Sequence, residues 1–344
     1  MNVQRAHATI EDVAARAGVS TATVSRVLNR SARVSVDTAE RVQQAVKELD
    51  FVPQAAARNL ARRMSSTLGL LLPAVGTDFF YPILRGIEAA ARQAGFDLLI
   101  GIQPADRRRL NPPPLGDHNT DGLLVFAGEL SESELKGLGE RTRAGFPVVL
   151  LYSTPPQGSD FSAVVLENRS GATQAVEHLI SAHGRRRIAF LRGPLGNQDS
   201  EQRMEGYRQA LEAHGLSFDP ALVAAGDYST RVAEQSVSAL LQDGAAFDAI
   251  FAADDDSASG ALAALKSAGV RVPGQVALAG FDDSFMAPYL DPPLTTVRAP
   301  TAQLGREAVR LLVRSIRSPG SKPQTVLLPT DLVIRRSCGC GGEK

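Results

Sequence analysis

From Thr67 onward, short apolar runs alternate with amphipathic stretches, and that alternation excludes most folds for the bulk of the chain. Residues 68–72, 96–102, 122–126 and 148–151 read as strands, with a helix over 82–93. A second set opens with a strand over 163–166 and continues with strands over 188–191, 249–251 and 276–279; helices are predicted near 171–181, 201–213, 230–242 and 257–267. Apolar strands joined by helices make parallel sheets, so two such sets predict two doubly wound α/β lobes. At 344 residues the chain is also too long for one ordinary core, which leaves room for a small domain in front of the lobes.

That front segment is all-helical in pattern. Thr9 offers an N-cap hydroxyl and Glu11 and Asp12 place carboxylates in the first turn of a helix whose apolar face is Ile10, Val13, Ala14 and Ala17. Gly18 ends it, Val19 turns inward, and Ser20 caps a second helix over 21–28 with Val24, Val27 and Leu28 on the same core. Two short helices meeting at a Gly-containing turn form a helix-turn-helix. In that geometry Thr21, Ala22 and Arg26 face base edges in a major groove, with Arg26 as the guanine reader. Ser20, Thr23, Ser25 and Asn29 suit phosphate contacts, which fix register. The alternative is a helical hairpin whose Thr/Ser/Arg face is merely solvated. A third helix is expected from about 37 to 49, stopped by Phe51-Val52-Pro53, and an alanine-rich segment from Gln54 that cannot hold a helix alone in water.

Charge supports a nucleic-acid end. The first 63 residues hold ten Lys/Arg against six Asp/Glu, whereas the whole chain balances 37 against 37, so a basic front rides on a mildly acidic body. With 44% apolar and 22% charged residues the chain is globular rather than disordered. The first thirty residues carry no apolar run of signal-peptide length, and no stretch approaches the roughly 18 apolar residues of a membrane span, so a cytoplasmic protein with no membrane partner is expected.

Here a resemblance becomes specific. Thr9-Ile10-Glu11-Asp12-Val13-Ala14, then Ala17-Gly18-Val19-Ser20 and Thr23-Val24-Ser25-Arg26-Val27-Leu28-Asn29, resemble the signature of the lactose-repressor and galactose-repressor (LacI/GalR) family of bacterial transcription regulators. The likeness continues through Val34-Ser35, Pro53 and Ala57-Arg58-Asn59-Leu60-Ala61. It implies a headpiece over 1–53, a hinge over 54–64 whose helix folds on operator DNA, and an effector domain over 65–344. Thr9 and Ala57 join the DNA-contacting set, and Leu60 matches the leucine wedged into a minor-groove step. The implied effector fold is that of periplasmic sugar-binding proteins. Lobe 1 is then expected at about 65–162 and 295–318, and lobe 2 at about 163–294 and 319–340, with the chain crossing three times and ligand held in the cleft between.

The same resemblance assigns effector contacts to Asp78, Phe79, Phe80, Tyr152, Arg203, Tyr228, Asp254 and Asp282. Arg203 offers a planar fork to vicinal hydroxyls, while the acids accept from hydroxyls. Each has a plainer reading: Arg203 paired with Glu201 or Glu205 on a helix face, Asp254 as a cap, Asp282 and Asp283 as turn residues, Tyr228 as a rim aromatic. The sequence departs from the family between Ile102 and Asp121, where Arg107–Arg109 and Pro112–Pro114 replace a helix with an expected irregular loop. Glu167-Asn168 replaces an Asp-Asn pair, and Tyr152 stands in place of an acid.

The expected function is therefore a sequence-specific repressor of carbohydrate genes, a homodimer on palindromic double-stranded operator DNA, released by a small sugar or sugar phosphate. A dimer rather than a tetramer is expected because no leucine heptads follow the last strand. Alternatives are a repressor that needs a nucleobase corepressor, and a solute-binding protein for transport. No enzyme and no cofactor are expected: His7, His118, His178, His183 and His214 lie scattered without metal-ligand spacing, with His178 and His183 on a helix surface, and no phosphate loop or nucleophile elbow occurs. Cys338 and Cys340, one residue apart, are expected to be reduced, minor thiols, since they make a strained disulfide and offer too few ligands for a closed zinc site.

Overall fold

Local capping builds the first unit, within residues 1–65. In the computed structural model, which describes residues 8–29, 34–51, 65–73, 79–102 and 115–341, α1 (Ile10–Ala17) starts with a capping box between Thr9 and Asp12. Thr9 Oγ1 accepts from the Asp12 N–H at 3.3 Å and the Thr9 N–H donates to Asp12 at 2.8 Å. Gly18 ends the helix at φ 65°, where a side chain would strain the backbone. Ser20 Oγ then accepts from Thr23 N at the start of α2 (Thr21–Asn29), and Ser35 caps α3 (Val36–Glu48). Val13, Ala17, Val24, Val42 and Ala45 are buried together, so the three helices close a core of their own. The segment 52–64, with Ala57 and Leu60, lies outside the described residues.

The second unit, residues 66–344, carries two six-stranded sheets. The first contains β1 (Thr67–Leu72), β2 (Asp97–Ile102), β3 (Gly122–Phe126), β4 (Val148–Leu151), β5 (Ser162–Leu166) and, near the chain end, β11 (Thr325–Leu328). The second contains β6 (Ile188–Arg192), β7 (Val223–Ala225), β8 (Ala249–Ala252), β9 (Ala277–Asp282), β10 (Thr295–Arg298) and β12 (Asp331–Val333). Their orders are β11-β5-β4-β3-β1-β2 and β12-β10-β9-β8-β6-β7, parallel throughout except the β10–β12 pair. Both reverse direction about their first strand, the arrangement that opens a crevice at the strand carboxyl ends.

Helices cover these sheets. The first lobe uses α4 (Phe80–Ala94), α5 (Glu132–Arg143) and α10 (Thr301–Arg317); the second uses α6 (Asn168–His183), α7 (Gln198–Ala213), α8 (Thr230–Gln242) and α9 (Asp255–Ser267). Helices α4 and α10 approach so closely that a Cβ at Gly86 would collide with the Ala302 carbonyl, and one at Gly305 with the Ile83 carbonyl. Ile83, Ile87, Leu304 and Leu312 fill the first-lobe core against Leu68, Leu70 and Leu124.

Three features correct the sequence reading. The strand at 162–166 does not open the second set: β5 pairs with β4, Leu150 beside Ala163, in the first sheet. Residues 295–318 do not return whole to the first lobe, because β10 pairs with β9 in the second sheet and only α10 lies on the first. Likewise the terminal stretch splits, β11 pairing with β5 and β12 with β10 on either side of Pro329-Thr330. A short strand that is apolar on both faces says which residues are buried but not which sheet buries them. The chain thus crosses between lobes at Glu167, at Ala299-Pro300 and at Pro329-Thr330. Helix α5, which buries no residue, went unread in the sequence because Leu135 and Leu138 are its only apolar residues and Gly137 and Gly139 interrupt it. Residues 103–114 lie outside the described residues, and Leu115 beyond them is buried on the first sheet. Among the described residues no helix is long and apolar enough to cross a membrane.

Candidate functional site

The exposed side of α2 and the crevice between the sheets are the two candidate sites. On α2, Val24 is fully buried, which turns Thr21, Ala22 and Arg26 outward to solvent. Ser20 is exposed and hydrogen-bonded to Thr23 Oγ1 at 3.0 Å; Thr23 and Ser25 are half-buried. Thr9 is exposed at the start of α1, where its hydroxyl serves the cap. Asn29 ends α2.

In the crevice a cavity of about 270 Å³ is lined from both lobes. Phe79, Phe80, Tyr152, Arg203, Tyr228, Asp254 and Asp282 all face it; Asp78 lies outside the described residues. The first-lobe wall is aromatic. Phe79 and Phe80 stand edge to face at 5.2 Å, Phe79 meets Tyr152 at 5.4 Å, and Phe126 stacks on Tyr152 at 5.4 Å. Tyr152 takes φ 56° and its buried hydroxyl finds no hydrogen-bond partner among the described residues. A residue held in left-handed backbone with its polar atom unsatisfied is strained in two ways, and such strain collects at binding sites.

The second-lobe wall is charged. Arg203, only 2% exposed, leaves the helix surface altogether: its Nε donates to Asn168 Oδ1 at 2.9 Å, an Nη donates to the Ala253 carbonyl, and its Cζ lies over the Phe281 ring, 3.7 Å from the centroid. Glu205 instead pairs with Arg169. Asn168 also donates to Asp199 at 2.7 Å, which fixes the arginine and this acid together at the first residue of α6. Asp282 Oδ1 faces Arg203 Nη2 at 3.6 Å, beyond hydrogen-bond length, and is otherwise unsatisfied among the described residues. Asp254 caps α9 through the Ser257 and Asp256 N–H groups while lining the cavity, so both readings of it hold. Asp282 and Asp283 do form a positive-φ turn, and Tyr228, at φ 54°, rests against Gly193, where a Cβ would overlap the ring. Tyr228 donates to Asn197 Oδ1 at 3.0 Å.

The acids crowded into this dry wall titrate above the ordinary carboxylate range. Burial pushes Asp199 up to about 6 against the pull of Arg203, Asp254 up to about 6 against its cap bonds, and Asp255 up to about 7 despite bonds from Thr296 and Ser284. Asp282 is raised well above the usual carboxylate range, by burial first and by Asp255 and Asp254 besides, with Arg203 opposing. Among the described lining residues Arg203 is the one cation. The sequence reading missed Asp199, Asn197, Asp255 and Phe126; Asp199 and Asn197 sit just ahead of Arg203 at the start of α7, which was the available signal.

A second cluster corrects the expectation about histidines and thiols. His178 and His183 on α6 are not isolated surface residues, for they converge with Cys338 and Cys340 so that four ligand atoms lie within 4.8 Å of one another.

Similarity to known proteins follows the same two-part division. Residues 9–54 match the family described as bacterial regulatory proteins, lacI family, and residues 176–338 match the periplasmic binding protein-like domain. The chain is 37% identical to the HTH-type transcriptional regulator CelR of Thermobifida fusca over 97% of this chain and 99% of that one. It is 32% identical to the ribose operon repressor of Escherichia coli strain K12 over 96% and 99%. A solved CelR–cellobiose complex superposes with a TM-score of 0.73 at 35% identity, covering 96% of this chain and 99% of that chain. The lac repressor dimer bound to operator and the anti-inducer ONPF superposes with a TM-score of 0.86 at 27% identity, again over 96% and 99%.

Proposed function

The chain belongs to the lacI family of bacterial regulatory proteins and is a DNA-binding transcription regulator, and from that premise we propose that it represses carbohydrate genes until a neutral sugar enters the crevice. The observation that carries the sugar is the pairing of walls. Aromatic rings suit the C–H face of a pyranose, while Arg203 and the acids suit its hydroxyl rim. Six aspartates line the cavity around one guanidinium and disfavour a phosphorylated ligand, so a neutral saccharide fits better than a sugar phosphate. At about 270 Å³ the cavity sits near the lower end of small-molecule sites and suits one or two sugar rings.

The reading of DNA falls to Thr21, Ala22 and Arg26 at base edges and to Thr9, Ser20, Thr23, Ser25 and Asn29 along phosphates, in a homodimer on a palindromic operator. Ala57 and Leu60 complete this set as hinge contacts. Effector and operator are coupled by linkage: a sugar shifts the balance only by binding the released state better than the DNA-bound one. The crossings supply a route. The Glu167 N–H donates to the Leu328 carbonyl at 2.9 Å and Thr330 donates to the Glu167 carbonyl at 3.2 Å, so two crossings are tied beside Asn168, which holds Arg203.

Calorimetric titration of the purified protein with neutral saccharides, sugar phosphates and nucleosides tests the ligand class, with operator retention read in parallel by gel shift. A neutral saccharide that binds and lowers operator affinity is expected. A nucleobase compound that binds and raises operator affinity would overturn the reading. For the DNA face, Arg26→Ala should relax base preference and cost about 1–3 kcal/mol of specific binding, measured by selection from random duplexes, without altering sugar affinity.

A further inference from the structure

The chain's two cysteines and two of its histidines meet at the end of α6 remote from Arg203. The tail after β12 is fastened to the second sheet by Ser337, whose buried hydroxyl donates to the Leu278 carbonyl at 2.7 Å and accepts from the Thr295 N–H at 2.8 Å. Gly339 at φ 115° then turns the backbone between Cys338 and Cys340, and a Cβ there would press on His183 Nδ1 at 3.0 Å. The result is a compact set of donor atoms: Cys338 Sγ lies 3.4 Å from His178 Nε2, Cys340 Sγ 3.7 Å from the same nitrogen and 3.3 Å from His183 Nε2.

These separations are those of a coordination shell. A tetrahedral zinc ion with Zn–S of about 2.3 Å and Zn–N of about 2.0–2.1 Å has sulfur-to-nitrogen edges of about 3.6 Å. The three edges in this cluster lie within about 0.3 Å of that value. We propose that His178, His183, Cys338 and Cys340 form a structural zinc site that closes the C-terminal tail onto α6.

The donor set decides the class of metal. Two thiolates and two imidazoles in a tetrahedron suit a borderline-soft cation and exclude the hard, oxygen-seeking Mg²⁺ and Ca²⁺. Four protein ligands leave no open position, so the ion holds structure and activates no water. Cys338 is fully buried while Cys340 is half-buried, which gives the metal a way in from solvent. A disulfide between Cys338 and Cys340 would take both sulfurs away from the imidazoles and remove the shell.

Metal analysis of the untagged full-length protein, purified under reducing conditions without chelator, should return one zinc per chain. After chelation, reconstitution with Co²⁺ should produce intense tetrahedral d–d bands and a thiolate-to-cobalt charge-transfer band. Both signals should vanish in the C338S/C340S and H178Q/H183Q double variants, with far-UV circular dichroism confirming that the lobes remain folded. The wild-type cobalt spectrum decides the matter even if a variant does not fold. A reduced wild-type protein that takes up neither zinc nor tetrahedral cobalt would falsify the site, as would a folded C338S/C340S variant that keeps both signals.

Discussion

The two walls of the crevice are built on different physics. The first-lobe wall is a set of rings packed on one another, with Phe79, Phe80, Phe126 and Tyr152 in mutual contact and one hydroxyl, that of Tyr152, left unsatisfied among the described residues. The second-lobe wall is a hydrogen-bonded charge network in which Asn168, Asp199 and Arg203 hold one another in place. Rings offer a ligand area and shape, and they tolerate change because the burial of apolar surface is non-directional. A buried guanidinium offers direction, and it is held by Asn168, the residue that follows the Glu167 crossing between lobes. On the function proposed above, both walls share recognition, and we assign transmission to the rest of the molecule to the second.

The largest test removes that difference at its centre. Arg203→Ala should weaken the sugar at least about 100-fold by calorimetry and abolish release from the operator, while operator binding without sugar persists. If a ring substitution proves equally costly, the division of labour between the walls is wrong.

A pH series sharpens the comparison next, because only the second wall titrates near neutrality. Asp199, Asp254 and Asp255 are held to about 6, about 6 and about 7 in the fold, against an ordinary 3.8. Folded values raised above the unfolded one mean that the fold binds protons the unfolded chain has released. The stability these groups supply is full below about pH 4 and is lost as pH rises through about 6 to 7. The thermal midpoint of the ligand-free protein should accordingly fall from about pH 5 to about pH 8, and Asp199→Asn should flatten part of that slope. A midpoint that instead rises over this interval would show the acids ionised and paired.

Two smaller tests address the rings. Tyr152→Phe removes a buried hydroxyl without a partner among the described residues, so ligand-free stability should rise by about 1 kcal/mol in urea unfolding while sugar affinity falls several-fold. Phe79→Leu keeps apolar volume and loses the stack, for an expected loss of about 0.5–1.5 kcal/mol in sugar binding and no change in operator affinity.

Much of this was legible before any coordinates. In the headpiece Thr9, Gly18, Ser20 and Ser35 act within a few residues of themselves, so caps and turns could be read directly. In the crevice Phe79, Phe80, Tyr152, Arg203, Tyr228, Asp254 and Asp282 came from the family resemblance, and all line one cavity. What that reading lacked was long-range pairing. Asp199 matters because Asn168 reaches it across 31 residues of chain, and nothing in a run of Asn197-Gln198-Asp199-Ser200 announces that partner.

The sequence by itself determined most of the helices and strands, α5 and β7 excepted, where the headpiece caps fall, and that the bulk of the chain is parallel α/β, because each of those rests on periodicity or on contacts a few residues apart. Tertiary structure alone decided that β5 and β11 join the first sheet, that β10 and β12 join the second, and that His178 and His183 stand beside Cys338 and Cys340. The reason is distance along the chain: the His178 and Cys338 side chains meet across 160 residues, and only the packing of α6 on the second sheet, with the tail sewn on by Ser337, brings them together.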